Sequence, residues 1–164
     1  MEDLSEESFP KELTEPIINN PETEPTMTNE EKLIKVCVDA LGTEVTPQDR
    51  IPDEVACSEV MTTLVQKVFS DFPILPSTRD LFNKLKSDKR FKATLTPRQG
   101  VIIVSPRTPT TIGHVGTFVT DSMIASNNSF GVNKGKFTGN YSWNGWINEF
   151  RNNRNLKIYL FEVL

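Results

Sequence analysis

Residues 100–126 read GVIIVSPRTPTTIGHVGTFVTDSMIAS and contain three short apolar segments separated by turn-rich stretches. β-Branched and aromatic residues recur in 100–105, 114–120 and 123–126, and this composition is typical of strands. Similar segments occur at 91–94 and at 156–163, where the sequence is LKIYLFEV. The second half of the chain therefore predicts a small antiparallel sheet.

The segments before this sheet have helical spacing instead. Apolar residues recur every three or four positions from Leu33 to Leu41 and from Val55 to Phe69, and a third, shorter run carries Leu81 and Leu85. Predicted N-caps are Thr28 with Glu31 in a capping box, Ser77 or Thr78, and Ser142 for a short helix rich in tryptophan between the last two strands. Helices followed by an antiparallel sheet predict an α+β fold.

The N-terminal segment differs in composition from the remainder. Residues 1–30 hold nine of the 22 acidic side chains and a single base, Lys11, so the rest of the chain carries a net charge of about +4. Proline and polar residues dominate 1–28, which we predict to be a disordered or loosely docked leader ahead of one domain at 29–164. The charge excess of that domain is too small and too scattered to predict nucleic-acid binding.

The two cysteines have different predicted roles. Cys37 lies on the apolar stripe of the first helix, where a cysteine usually packs as a small hydrophobe. Cys57 lies in the first turn of the second helix, where the helix dipole favours thiolate and a backbone N–H can face a developing oxyanion. Many first-turn cysteines serve packing alone, so the position of Cys57 becomes informative only with a base beside it.

His114 is the only histidine of the chain, and it starts a predicted strand between two glycines in the sequence IGHVGTF. An imidazole is the natural base to take a thiol proton and later return it to a leaving amine. A third polar group must fix the ring, and the next strand ends in IASNNS. We favour Asn127 for this role, with Asn128 and Ser126 as the alternatives.

Several segments together carry a resemblance to a known family. ACSEVMTTLV, TPRQGVIIVS, GHVGTFV, MIASNNS and a C-terminal tryptophan segment occur in that order. The chain from about residue 51 to 164 resembles the NlpC-type and CHAP-type papain-like cell-wall cysteine peptidases. It departs from them where the usual aspartate after the glycine is Val101, and where Asn127 stands in place of the third histidine of the NlpC-type group.

The resemblance implies a papain-like fold and hydrolysis of an amide in peptidoglycan, either between stem-peptide residues or between the lactyl group of the glycan and the first alanine. It implies Cys57 as nucleophile, His114 as base and Asn127 as orienting group. It implies no metal and no organic cofactor, and we expect a monomer. The chain shows no secretory signal and no membrane span, so we expect synthesis in the cytoplasm and access to the wall by phage-type release or as a virion component.

A hypothesis of a different class uses the same fold without catalysis. An inactive papain-like module could bind wall peptides, or assemble into a virion, through the same groove. Tyr141, Trp143 and Trp146 would form groove walls in either case. A thiol that alkylates below pH 7 would favour the enzyme.

Overall fold

The computed structural model describes residues 26–46 and 56–164. Three helices precede the sheet: α1 (Asn29–Asp39), α2 (Cys57–Gln66) and α3 (Thr78–Ser87). The six strands are β1 (Phe91–Thr94), β2 (Ile102–Ser105), β3 (His114–Phe118), β4 (Ile124–Asn127), β5 (Phe137–Tyr141) and β6 (Tyr159–Val163). Between β5 and β6, α4 (Trp143–Trp146) runs directly into a π-helix (Ile147–Asn153).

The helix starts follow the predicted local signals. The Thr28 hydroxyl accepts a hydrogen bond from the Glu31 N–H at 3.2 Å, and the Glu31 carboxylate accepts one from the Thr28 N–H at 2.7 Å. Ser77 caps α3, and Ser142 caps α4 by accepting from the Gly145 N–H at 3.1 Å. These side chains satisfy N–H groups that the first helical turn leaves without partners. Most of the predicted leader, residues 1–25, lies outside the described residues.

The sheet is antiparallel and has the strand order β1-β6-β2-β3-β4-β5. The α+β prediction is therefore confirmed. Strand β5 was not predicted, and the reason lies in its sequence: FTGNY contains Gly139 and Asn140, which have low strand propensity. Its pairing with β4 stabilises the strand, so tertiary contact overrides local preference.

Each face of the sheet carries its own apolar core. The first is formed by α1, α2 and α3 with sheet residues such as Ile102, Val104 and Val115. The second is formed by α4 and the π-helix with residues such as Ile103 and Phe118. Because neighbours along a strand point to opposite faces, β3 contributes alternate side chains to the two cores. His114 and Val115, the first two residues of β3, therefore belong to different faces.

Within the described ranges, no helix combines the length and apolar character needed to cross a bilayer. The same residues contain no group of three or more His, Cys, Asp or Glu side chains arranged to hold a metal ion.

Candidate active site

Cys57 is the first residue of α2, as predicted, and it packs against the start of β3. The backbone N–H groups of Val115, Ser58 and Cys57 itself surround its thiol as hydrogen-bond donors. Val115 follows His114 directly, so the thiol and the histidine lie at the same end of the same strand. The helix start and the strand start together position this part of the site.

The electrostatics of the thiol differ from the expectation. The helix N-terminus predicted a lowered pKa, but burial raises the pKa of Cys57 to about 11, and the three backbone donors lower it only in part. Cys57 is only 4% exposed, and desolvation disfavours the charged thiolate more strongly than the amides favour it. The Cys57 thiol is therefore neutral at neutral pH, in contrast to the thiolate that the helix dipole alone favours.

His114 lies in an aromatic environment on the other face of the sheet. Its ring stacks on Phe150 at 5.3 Å and on Trp146 at 5.4 Å between centroids, and it meets Tyr141 edge-on at 5.9 Å. Burial, and secondarily the positive charge of Arg154, lower the pKa of His114 to about 3. A buried imidazole among apolar rings has no water to solvate its charged form, so it stays neutral.

Ser126 makes a hydrogen bond to the histidine ring. The His114 Nε2 lies 2.9 Å from the Ser126 Oγ, and that hydroxyl donates to the Asn140 Oδ1 at 2.8 Å. Ser126 was one of the two alternatives to Asn127. Ser126 lies opposite Gly116 in the sheet, so it shares the face of His114, whereas Asn127 is the next residue and points to the other face.

The direction of these hydrogen bonds assigns the histidine tautomer. The Asn140 amide is oriented by its own Nδ2, which donates to the Asn128 Oδ1 at 3.4 Å, so Asn140 presents its oxygen to Ser126. Ser126 gives its only proton to that oxygen and must accept at Oγ from an Nε2 that carries a proton. A neutral ring protonated at Nε2 has its lone pair at Nδ1, and this is the nitrogen that can act as a base.

Two cavities flank the segment Ile112–Gly113 just before β3. One, of about 370 Å³, is lined by Cys57, Pro76, Ser77, Thr78 and Arg107 together with that segment. The other, of about 210 Å³, is lined by that segment with His114, Asn127, Asn128, Ser129, Phe130, Asn140, Tyr141, Phe150 and Arg154. The thiol and the imidazole thus face two adjoining cavities that have the same two residues in common. Asn127 lines the second cavity, and its catalytic role stays a prediction.

Sequence reasoning missed two contributors to this site. Asn140 lies on the unpredicted strand β5, so nothing in the sequence brought it near His114. The stacking of Phe150 on His114 depends on the π-helix, which the sequence pattern does not predict. The extra residue per turn of such a helix changes the direction of the side chains that follow, and π-helical turns occur frequently at functional sites.

Comparisons with solved structures find similar folds, while comparisons with family models and curated sequences find no match. A chain from the crystal structure of the type VI native effector-immunity complex Tae3-Tai3 from Ralstonia pickettii superposes with a TM-score of 0.54 at 11% identity. The match covers 84% of this chain and 100% of that one. At this identity it bears on fold alone, and it agrees with the predicted papain-like α+β architecture.

Proposed function

We propose that this protein is a cysteine peptidase or amidase that hydrolyses an amide bond of peptidoglycan. The observation that carries the proposal is the joint placement of two groups at the start of β3: a helix-start thiol surrounded by three backbone N–H donors, and the only histidine, held at Nε2 by Ser126. The sequence resemblance supplies the substrate class. The structural neighbour, a chain from an effector-immunity complex, supports the fold on which this chemistry is placed.

The proposed chemistry begins from a neutral pair. This step requires the Nδ1 of His114 to come within hydrogen-bond reach of the Cys57 sulfur, because the two side chains lie on opposite faces of the sheet. As the sulfur bonds to the carbonyl carbon, its proton then passes to Nδ1, and backbone N–H groups at the start of α2 stabilise the oxyanion. The imidazolium then gives that proton to the leaving nitrogen as the C–N bond breaks. Water attacks the resulting thioester, one of its protons returns through His114 to the sulfur, and the acid is released.

Ser126 has a defined part in this scheme. Its Oγ accepts a hydrogen bond from the Nε2–H before and after the transfer, and it holds the ring so that the lone pair of Nδ1 stays available. Burial keeps both reacting groups uncharged until a substrate arrives, so the proton transfer accompanies attack instead of preceding it. Hydrolysis of a stem peptide by a monomer, with phage-type release to the wall, stays a prediction from the sequence.

The experiment that tests the proposal is digestion of purified peptidoglycan by the wild-type protein and by Cys57→Ala, with Cys37→Ala as the matched control. Cys37 is equally buried but belongs to α1, away from both cavities. We expect fragments from the wild type and from Cys37→Ala, none from Cys57→Ala, and fragment masses that identify the bond. Release of fragments by Cys57→Ala would refute the assignment of Cys57 as the nucleophile.

A second candidate function is binding without catalysis, as an inactive module or as the partner of an effector. The observation in its favour is that both Cys57 and His114 are buried and neutral at rest. Under this alternative no wall type is cleaved by any variant, while fragments of stem peptide or a protein partner bind to the wild type and to Cys57→Ala equally.

A further inference from the structure

A further cavity lies beside the loop that follows β2, outside the candidate active site. Its volume is about 270 Å³, and neither Cys57 nor His114 lines it. Its lining combines two basic side chains with apolar and aromatic ones: Arg79, Lys157, Phe82, Pro106, Leu156 and Tyr159. Within the described ranges, no acidic side chain lines this cavity. The lining therefore places positive charge beside apolar surface, a composition that suits an anionic organic molecule.

The Arg79 guanidinium is held at the edge of this cavity. Its Nε and Nη2 donate to the Arg107 carbonyl oxygen at 3.1 and 2.8 Å, and the two neighbours of Arg107 in the chain, Pro106 and Thr108, both line the cavity. A guanidinium has five N–H groups, so other N–H groups of Arg79 remain to donate to a ligand. A cation fixed in this way loses little rotamer freedom when a ligand binds.

The two basic side chains are not neutralised by neighbouring carboxylates. Lys157 is exposed and lies just before β6. The ion pairs between described residues involve neither Arg79 nor Lys157. A ligand with two negative charges would pair with both side chains, whereas a ligand with a single charge would leave one of them unpaired.

Two aromatic rings give the cavity an apolar wall. The rings of Phe82 and Tyr159 lie 4.4 Å apart between centroids, with 39° between their planes. Phe82 is buried and Tyr159 is half-buried, and Pro106 and Leu156 add aliphatic surface. A planar or apolar group attached to the anion can therefore bury its surface against these side chains.

We propose that this cavity binds a phosphate monoester that carries a planar or apolar group. A phosphate monoester has a second pKa of about 6, so at neutral pH it carries nearly two negative charges. Its oxygens also match the paired N–H groups of a guanidinium. A carboxylate or a phosphate diester offers only one charge. Nucleotides and sugar phosphates both contain the required group.

The test is a titration of isotope-labelled protein followed by NMR. The probes are phenyl phosphate, a monoester, and phenyl methyl phosphate, a diester with the same ring and one charge fewer. At a pH of about 7.5 we expect the monoester to bind about tenfold more tightly and to shift the amide signals of Leu156 and Tyr159. Inorganic phosphate, which lacks the ring, should bind more weakly than phenyl phosphate. Lowering the pH to about 5 should reduce the advantage of the monoester, because it then carries one charge.

Substitutions of the basic residues identify the site. Lys157→Gln removes one charge from an exposed side chain, so it should weaken binding of phenyl phosphate about tenfold and reduce its advantage over the diester. Arg79→Lys keeps the charge but loses the paired donors, so we expect a smaller loss. Lys89→Gln is the matched control and should leave the affinity unchanged, because Lys89 is exposed and lines none of the three cavities.

The proposal would be overturned if phenyl phosphate does not bind, if the monoester and the diester bind equally, or if Lys157→Gln and Lys89→Gln lose affinity equally. Because Cys57 and His114 lie outside this cavity, Cys57→Ala should bind phenyl phosphate as the wild type does. Failure of peptidoglycan digestion would therefore not affect this site, and failure of phosphate binding would not affect the proposed hydrolysis. Titration with adenosine monophosphate and with glucose phosphate then distinguishes a nucleotide from a sugar phosphate as the preferred ligand.

Discussion

The charge state of His114 gives the sharpest quantitative prediction. Its pKa should lie near 3 in the folded protein, against an ordinary value of 6.5 in the unfolded chain. A group whose folded pKa is depressed in this way is a base that folding keeps neutral. Its contribution to stability is therefore complete above pH 6.5 and is lost as the pH falls towards 3, because the unfolded state then binds a proton that the native state does not bind.

The size of this effect follows from the two pKa values. At a pH of about 4.5 the unfolded chain is almost fully protonated at this residue and the folded protein is almost fully neutral. The linkage relation then gives a loss of roughly 2.7 kcal/mol in the free energy of unfolding relative to neutral pH. Protonation of carboxylates such as Asp88 also lowers the stability of the protein in acid. The contribution of His114 must therefore be measured as a difference between variants.

The assay uses the fact that the chain has one histidine. In a tag-free protein, a single imidazole signal reports the titration by nitrogen-detected NMR, and the ring should remain neutral and protonated at Nε2 down to a pH of about 4.5. Urea unfolding of the wild type and of His114→Gln at about pH 8 and about pH 4.5 should show a fall that is larger in the wild type by roughly 2.7 kcal/mol. A midpoint near 6.5, or identical acid sensitivity of the two proteins, would refute the burial argument.

Three further predictions concern neighbouring groups. Cys57 should react with iodoacetamide about 100-fold more slowly than a free cysteine at neutral pH, because burial raises the pKa of its thiol from 9.0 to about 11 and leaves far less thiolate; peptide mapping by mass spectrometry measures the rate. Ser126→Ala should lower the free energy of unfolding by roughly 2 kcal/mol and change the nitrogen shifts of His114, because it leaves a buried ring N–H unsatisfied. Gly116→Ala should lower the free energy of unfolding measured in urea by about 3 kcal/mol. An added Cβ would lie 2.6 Å from the Ala125 carbonyl oxygen and would push β3 away from β4.

Each of these has a control in the same chain. Fast alkylation of Cys57 below pH 7 would mean that a thiolate–imidazolium pair forms after all. Ser122→Ala removes an exposed hydroxyl and should leave both the stability and the His114 signal unchanged. Gly145→Ala adds a methyl group whose nearest neighbour is the Ser142 Oγ at 3.3 Å, and it should change stability by no more than roughly 0.5 kcal/mol. A Gly116→Ala protein as stable as Gly145→Ala would contradict the packing argument.

The parts of the fold that sequence predicts are those with local causes. Thr28 and Ser142 cap helices with atoms a few residues away, and the strand that begins at His114 is marked by its own β-branched neighbours. The positions of Cys57 and His114 at the starts of α2 and β3 followed from such signals.

The rest depends on contacts between distant segments. Whether Ser126 or Asn127 meets His114 is decided by which residue of β4 shares the face of Gly116, and one residue of register reverses the answer. The direction in which the pKa of Cys57 shifts depends on burial by the whole fold, which outweighs the local helix dipole. Asn140 could not be placed because its strand forms only by pairing with β4.

The order of strands in the sheet also determines when the protein can fold. Strands β1 and β2 are neighbours along the chain, yet β6 lies between them and pairs with both. During translation, the ribosome must deliver β6 after every other strand, and until then β2 has an unpaired edge. Such long-range closure makes folding slow compared with local pairing. Synthesis and assembly are therefore separated in time, and a nascent chain that stops short of residue 159 has Cys57 and His114 but lacks the strand that joins β1 to β2.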